Sequence, residues 1–100
     1  NITMKIQTII EDTAAEFGVD PIDIVHRYGK VGRDISTARY VCAFLLREYL
    51  AKDKIAALLG RRNHQYAYAA IKRTQERCRE DFEFCRKVTK LTDRFCVQWN

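Results

Sequence analysis

The chain has 100 residues, 47% of them hydrophobic, with one proline and four glycines. This composition is typical of one globular domain and excludes collagen-like and disordered chains, and no apolar run approaches the roughly 18 residues that a membrane span needs. The net charge of +5 is concentrated in residues 26–39 and 61–79, as expected of a surface that binds a polyanion. Because the first residue is Asn1 rather than methionine, we expect the chain to be part of a longer protein.

The hydrophobic periodicity is helical throughout, and no segment shows a sustained period of two, so the sequence predicts an all-α fold. The first helix has one inward stripe and ends at Gly18; the stripe comprises Ile6, Ile9, Ile10, Thr13 and Phe17. Asp20 and Pro21 predict the N-cap and the first residue of a short second helix, which we expect to reach about Tyr28.

The third predicted helix is the most convincing core helix of the chain. Asp34 or Ser36 can cap its start, after the basic loop "GKVGRD". Its inward positions recur at helical spacing and are Ala38, Val41, Cys42, Leu45, Leu46 and Tyr49.

Two further helices are predicted on either side of a short turn. Asp53 is the expected N-cap of the first, which ends at Gly60 and places Ile55, Leu58 and Leu59 inward. Asn63 is expected to cap the second, which runs from His64 to about Cys78 and is rich in alanines that permit close packing. The pattern over residues 53–78 is that of a helix-turn-helix, whose second helix enters the major groove of DNA.

The last predicted helix is capped by Asp81, and its stripe comprises Phe84, Val88, Leu91 and Phe95, with Trp99 one turn further on. The four cysteines are expected to be reduced thiols, because Cys78 and Cys85 would lie about 10 Å apart in a continuous helix. No nucleotide-binding loop, metal-ligand cluster or activated nucleophile is visible in the sequence. We therefore expect no enzyme activity, no cofactor, no metal and no small-molecule substrate.

Residues at the start of a recognition helix point at base edges, where Asn and Gln pair with adenine and Arg with guanine. The candidate base-reading residues are Arg62, Asn63, His64, Gln65 and Tyr66. The candidate contacts to the DNA backbone or minor groove are Arg27, Lys30, Arg33, Arg39, Lys52, Lys54, Arg61, Lys72 and Arg73. Simpler interpretations remain open at this stage, since Asn63 can be only a helix cap and His64 only a solvated ring.

The segment "IAALLGRRNHQYAYAAIKR" resembles the signature of the C-terminal DNA-binding domain of the bacterial replication initiator DnaA. Gly60, Arg62, Asn63 and His64 fall in register with that signature, and Lys72 with Arg73 matches its late basic pair. "EFGVDPIDIV" and "DFEFCRKVTKL" are similar to the family's segments before its basic loop and in its final helix. The resemblance implies one helical domain over residues 1–100, with about six helices, a fold related to the Trp repressor, and binding of duplex DNA as a monomer in the cytoplasm.

This sequence departs from the family at three base-reading positions. The family usually has Asp or Ser at the position of Asn63, and Thr or Ser at those of Gln65 and Tyr66. We therefore expect a preferred DNA site of its own, and a diverged copy from a phage or plasmid fits at least as well as a host initiator. Two alternatives remain, a Trp-repressor-type transcriptional regulator that binds as a dimer and a helical protein-interaction module.

Overall fold

The computed structural model describes residues 1–26 and 32–99 of the chain. These residues form six helices and no strand, which confirms the predicted all-α fold. The helices are α1 (Ile2–Phe17), α2 (Pro21–Val25), α3 (Arg33–Leu46), α4 (Lys52–Leu58), α5 (Gln65–Glu80) and α6 (Phe82–Phe95).

Helix α3 lies at the centre of the core and packs against each of the other five helices. All six residues from Val41 to Leu46 are completely buried, so this part of the helix is enclosed on every side. A helix that is hydrophobic all round is expected in a core rather than at a surface. The other helices are therefore positioned relative to one another through α3.

Three predicted helix ends are confirmed by their hydrogen bonds. Gly18 ends α1 in the left-handed conformation, with φ 69°. The Asp20 carboxylate accepts from the amide of Ile22 at 3.0 Å at the start of α2. The Asp81 carboxylate likewise accepts from the amide of Phe84 at 3.1 Å at the start of α6. Gly18 ends its helix through its backbone conformation. Asp20 and Asp81 accept hydrogen bonds from amides that a helix leaves without an internal partner.

Other predicted helix boundaries were wrong by up to four residues. Helix α2 ends at Val25, because the backbone of His26 is already extended, and Tyr28 lies outside the described residues. The backbone N-caps of α3 and α4 are Gly32 and Ala51. The acidic residues expected to be caps, Asp34 and Asp53, lie instead in the first turns, and Ser36 also lies inside α3. Acidic side chains in a first turn complement the helix dipole without acting as caps.

The end of the chain also differs from the prediction. Cys96 adopts a left-handed conformation with φ 54° and ends α6, so Trp99 does not continue the helix. The chain folds back, and the Trp99 ring packs against Phe44 with a centroid distance of 5.2 Å. Tyr49 likewise lies beyond the end of α3, and its hydroxyl donates to the carbonyl of Phe95 at 3.0 Å.

The cap of α6 makes the stability of the fold dependent on acid. The hydrogen bond from the Phe84 amide, together with Arg77, lowers the pKa of Asp81 below its ordinary value of 3.8. A carboxyl group whose pKa is lower in the folded state stabilises the fold above its unfolded pKa, and that contribution is lost as pH falls through the folded pKa. We expect Asp81→Ala to lower the melting temperature at about pH 7 and to have little effect at about pH 2. Asp81→Asn is the control, since its amide oxygen can still cap the helix but does not titrate in this range. Equal melting curves for Asp81→Ala and the parent at neutral pH would contradict the cap.

The four cysteines differ in their accessibility as thiols. Cys78 and Cys85 lie in different helices, since α5 ends at Glu80 and α6 begins at Phe82, so the separation of about 10 Å expected in a continuous helix does not apply to them. Burial raises the pKa of Cys42 to about 12, and burial together with the neighbouring Cys85 thiol raises the pKa of Cys78 to about 12. Cys85 is half-buried and Cys96 is exposed.

We expect a thiol reagent to modify Cys96 first, because it is exposed, and the half-buried Cys85 more slowly in the folded protein. Cys42 and Cys78 should react least, because their raised pKa values suppress the thiolate, which is the reactive form. All four cysteines should react after unfolding without a reductant. Mass spectrometry of peptides after timed alkylation measures both rates. Modification of Cys42 as fast as Cys96 would contradict the buried position of α3.

Candidate nucleic-acid interface

Helix α5 begins with a cluster of four polar side chains that face solvent, and we call it the α5 cluster. Its members are Arg62, Asn63, His64 and Gln65. The preceding α4 ends near Gly60, whose φ of 73° lets the chain turn sharply. The amide of Arg61 then donates to the carbonyl of Ala56 at 2.8 Å, which fixes the exit of the chain from α4. This turn sets where the α5 cluster begins.

The backbone N-cap of α5 is His64, and the predicted cap Asn63 lies one residue earlier, where its side chain makes a cap-like hydrogen bond. Its Oδ1 accepts from the amide of Gln65 at 2.9 Å, and its carbonyl accepts from the amide of Tyr66 at 3.0 Å. The Asn63 side chain is nevertheless exposed, and its amide nitrogen is not part of this cap. This hydrogen bond therefore holds the side chain in place and does not use its amide nitrogen.

His64 and Gln65 are exposed and lie side by side, with their Nε2 atoms 3.5 Å apart. The imidazole ring also meets the edge of Tyr68 at a centroid distance of 6.1 Å. These contacts orient both side chains while their remaining donors and acceptors stay accessible to solvent. Such groups can form hydrogen bonds with base edges in a DNA groove.

Tyr66 has a different environment from the α5 cluster. Its ring is half-buried between Tyr40, at a centroid distance of 5.9 Å, and the guanidinium of Arg61, at 5.3 Å. Burial raises the pKa of Tyr66, although the positive charge of Arg61 opposes this shift. Tyr66 therefore packs between α3 and α5 with its ring half-buried, and its base-reading role stays a prediction.

Tyr68 is an exposed aromatic residue that the sequence analysis did not select. Its side chain is 53% accessible to solvent, and Lys52 Nζ lies 5.7 Å from the ring centroid. The available signal was its spacing, since Tyr68 follows His64 by one helical turn and shares its face of α5. Tyr68 thereby contacts both Lys52, at the start of α4, and His64 of the α5 cluster.

Arg39 was predicted to contact the DNA backbone or minor groove, but its side chain belongs to the protein core. The residue is only 2% exposed. Its guanidinium donates to the carbonyls of Asp23 at 2.7 Å, Ile24 at 3.2 Å and His26 at 3.2 Å. Burial lowers the pKa of Arg39, and the nearby charge of Arg61 lowers it further. Arg39 attaches α3 to the end of α2 and is not accessible to a phosphate.

The other predicted backbone contacts lie mainly at the surface. Those that are fully exposed are Arg33, Lys54, Lys72 and Arg73. Lys52 is half-buried against Tyr68, and Arg61 is half-buried against Tyr66, with its Nε lacking a hydrogen-bond partner among the described residues. Arg27 and Lys30 lie outside the described residues.

Acidic residues pair with basic residues mainly on another side of the molecule. The ion pairs among the described residues all involve α6 or its N-cap: Arg77–Asp81, Arg86–Glu83, Lys90–Glu16 and Arg94–Asp12. No such pair within residues 1–26 and 32–99 includes Lys54, Lys72 or Arg73. The positive charge beside α4 and α5 thus remains available to an anionic partner.

A search of the described residues finds no helix with the length and hydrophobicity to cross a membrane. The same residues contain no group of three or more His, Cys, Asp or Glu side chains that could hold a metal ion.

Comparison with known proteins points to one kind of relative, although no family model matches the chain. The chain is 31% identical over 94 residues to the chromosomal replication initiator protein DnaA of Synechococcus sp. (strain JA-2-3B'a(2-13)), which covers 92% of this chain and 20% of that protein. It is 30% identical over 97 residues to the protein of the same name from Nautilia profundicola, which covers 95% of this chain and 22% of that protein. The chain therefore spans about a fifth of the length of the curated relatives it matches. Over nearly its whole length, it is similar to a segment of a chromosomal replication initiator protein DnaA.

Proposed function

We propose that this chain is a DNA-binding domain that recognises a specific double-stranded sequence, as the origin-binding part of a replication initiator does. The observation that carries the proposal is the α5 cluster, in which Asn63, His64 and Gln65 are fixed by contacts within the protein and remain exposed. The similarity to DnaA proteins supports the same conclusion independently.

In this proposal α4 and α5 act as a helix-turn-helix. The start of α5 enters the major groove, where Asn63 and Gln65 are suited to adenine and Arg62 to guanine. His64 donates or accepts at a neighbouring base edge. Tyr68 lies one turn further along the same face, and its ring offers a surface for a thymine methyl group.

The exposed basic residues supply contacts to phosphates on both sides of the α5 cluster. Lys52 and Lys54 lie at the start of α4, and Lys72 and Arg73 lie in the middle of α5. Phosphate contacts of this kind position a protein on the duplex and carry no sequence information. The domain would act as a monomer in the cytoplasm without a cofactor or catalytic step, and its departures from the family's motif favour a diverged initiator with its own site.

The proposal is tested by selecting sites from random duplexes and then measuring affinity as a function of salt. We expect one enriched motif and about five to eight phosphate contacts, so that the logarithm of the affinity falls steeply with the logarithm of the salt concentration. Lys54→Glu should weaken binding to all sequences equally, and Arg86→Glu, on α6, is the matched control.

Weak binding at low salt that stays flat as salt rises would contradict DNA binding and favour a protein-interaction module. Sedimentation of the complex distinguishes the remaining alternative. A two-to-one complex on a palindromic site would favour a dimeric regulator of the Trp-repressor type over a monomeric initiator domain.

A further inference from the structure

A groove between α3 and α5 contains three arginines and has a volume of about 340 Å³. Helix α3 contributes one face of side chains to it, α5 contributes another, and α6 closes one end. The lining residues are Arg33, Ser36, Thr37, Tyr40, Arg73, Thr74, Arg77 and Phe84. The groove thus has a basic mouth, hydroxyl groups and two aromatic walls, and none of these lining residues is acidic.

Arg77 makes three contacts at this groove, and its side chain is 40% exposed. Its guanidinium carbon lies 4.3 Å from the centroid of the Phe84 ring. One terminal nitrogen donates to the hydroxyl of Thr37 at 3.2 Å, and Nε lies 3.5 Å from the Asp81 carboxylate. These contacts use only part of the donor capacity of the guanidinium, because an arginine carries five N–H groups.

Arg33 and Arg73 lie at the mouth of the groove and are both exposed. Neither makes an ion pair within the part of the chain that the structure describes. Asp81 pairs with Arg77, and Asp34 and Glu83 line the adjoining depression, so the charge that a bound anion would balance is mainly that of Arg33 and Arg73. Planar guanidinium groups pair with two phosphate oxygens at once, so phosphate is the anion that this arrangement fits best.

The position of the groove agrees with its use in DNA binding. Arg73 follows His64 by nine residues of α5, which corresponds to about 14 Å along the helix axis. The major groove of B-DNA is about 12 Å wide. Nine residues are also about two and a half turns, so Arg73 leaves α5 on the side opposite His64 and is placed for a flanking phosphate rather than for a base edge.

We propose that the α3–α5 groove binds a phosphate group through Arg33, Arg73 and Arg77. This inference rests on the proposed function insofar as the phosphate is a backbone phosphate of the bound duplex. Arg73 and Arg33 contact its oxygens from the mouth, and Ser36 is placed to donate a hydrogen bond. Arg77 contacts the same phosphate from inside, where Thr37 and Phe84 fix its orientation.

The test compares the salt dependence of duplex binding for the parent, Arg73→Gln and Arg77→Gln. Each substitution should lower the slope of log affinity against log salt by up to about 0.9, the contribution of the one phosphate contact that the arginines share, while the selected DNA motif stays the same. Arg86→Gln is the control, because Arg86 pairs with Glu83 on α6 and does not line the groove. Since Arg77 also packs on Phe84, circular dichroism checks the folding of that variant, and the exposed Arg73 provides a second measurement.

Slopes that remain unchanged in both variants, while the parent binds a selected motif, would overturn the groove site and leave the proposed function in place. A parent that binds no duplex would instead contradict the proposed function, and inorganic phosphate would then decide the inference. In that case the side-chain Nε–H signals of Arg73 and Arg77 should shift saturably in an NMR titration with phosphate, and the Arg73 shift should be lost in Arg77→Gln. Shifts no larger than those with chloride at equal ionic strength would overturn it.

Discussion

Replacing Arg39 with methionine is expected to lower the free energy of unfolding by about 3 kcal/mol, because the buried and part-buried carbonyl groups at the end of α2 lose the donors that its guanidinium supplies. The Arg39 guanidinium donates to three carbonyls near the end of α2, those of Asp23, Ile24 and His26. Each buried polar group that loses its partner costs about 1–3 kcal/mol. Methionine retains much of the hydrophobic volume, so most of the loss should come from these hydrogen bonds.

The measurement is urea-induced unfolding followed by circular dichroism. Arg33→Met is the matched control, since Arg33 belongs to the same helix but is exposed, and its effect should lie within about 0.5 kcal/mol. Arg39→Lys should also be destabilised, because one ammonium group cannot reproduce the planar arrangement of donors. Normal stability of Arg39→Met together with weaker DNA binding would mean that Arg39 contacts phosphate and that its buried position is incorrect.

The second large effect concerns the specificity of the α5 cluster. We expect His64→Ala and Gln65→Ala each to reduce specific affinity by about tenfold and to relax the preference at one or two base pairs. Non-specific affinity and thermal stability should change little, since both side chains are exposed. Asn63→Ala should cause both kinds of loss, because its side chain also makes a cap-like hydrogen bond at the start of α5, and a lost cap costs about 1 kcal/mol.

Selected-site motifs for each variant are compared with that of the parent. Gln75→Ala is the control, since it removes the same type of side chain from the same helix more than two turns away from the cluster. The same motif in all variants would show that the α5 cluster is only a capped helix start exposed to solvent.

The sequence predicted the helices best where a single residue has a local reason to end or begin one. Gly18, Asp20 and Asp81 act through backbone conformation or a hydrogen bond to a nearby amide, and all three are confirmed. Asp34 and Asp53 were predicted as caps on the same grounds and were wrong. The choice between a cap and a first-turn position depends on where the preceding chain comes from, which local sequence does not determine.

The predicted site depended more strongly on tertiary structure. The charge of Arg39 suggested the surface, although the residue occupies the inward stripe of α3 beside Ala38 and Cys42. The buried charge is stabilised by carbonyls at the end of α2 that accept hydrogen bonds from the guanidinium, and their position relative to α3 depends on the tertiary structure. Arg77 was not selected because its role depends on Thr37 and Phe84, which are distant in sequence and adjacent in space.

The packing of Tyr66 has a consequence for how a domain of this kind can change its preferred DNA site. A smaller hydroxyl residue at this position, as the resemblance to the initiator family would imply, is expected to remove the packing between Tyr40 and Arg61. Asn63→Asp and Gln65→Thr are expected to shift the motif toward the ordinary initiator box without such a loss of packing, because both side chains are exposed. The effect of a substitution at position 66 is therefore expected to depend on the residues at positions 40 and 61, and replacing Tyr66 alone should lower stability.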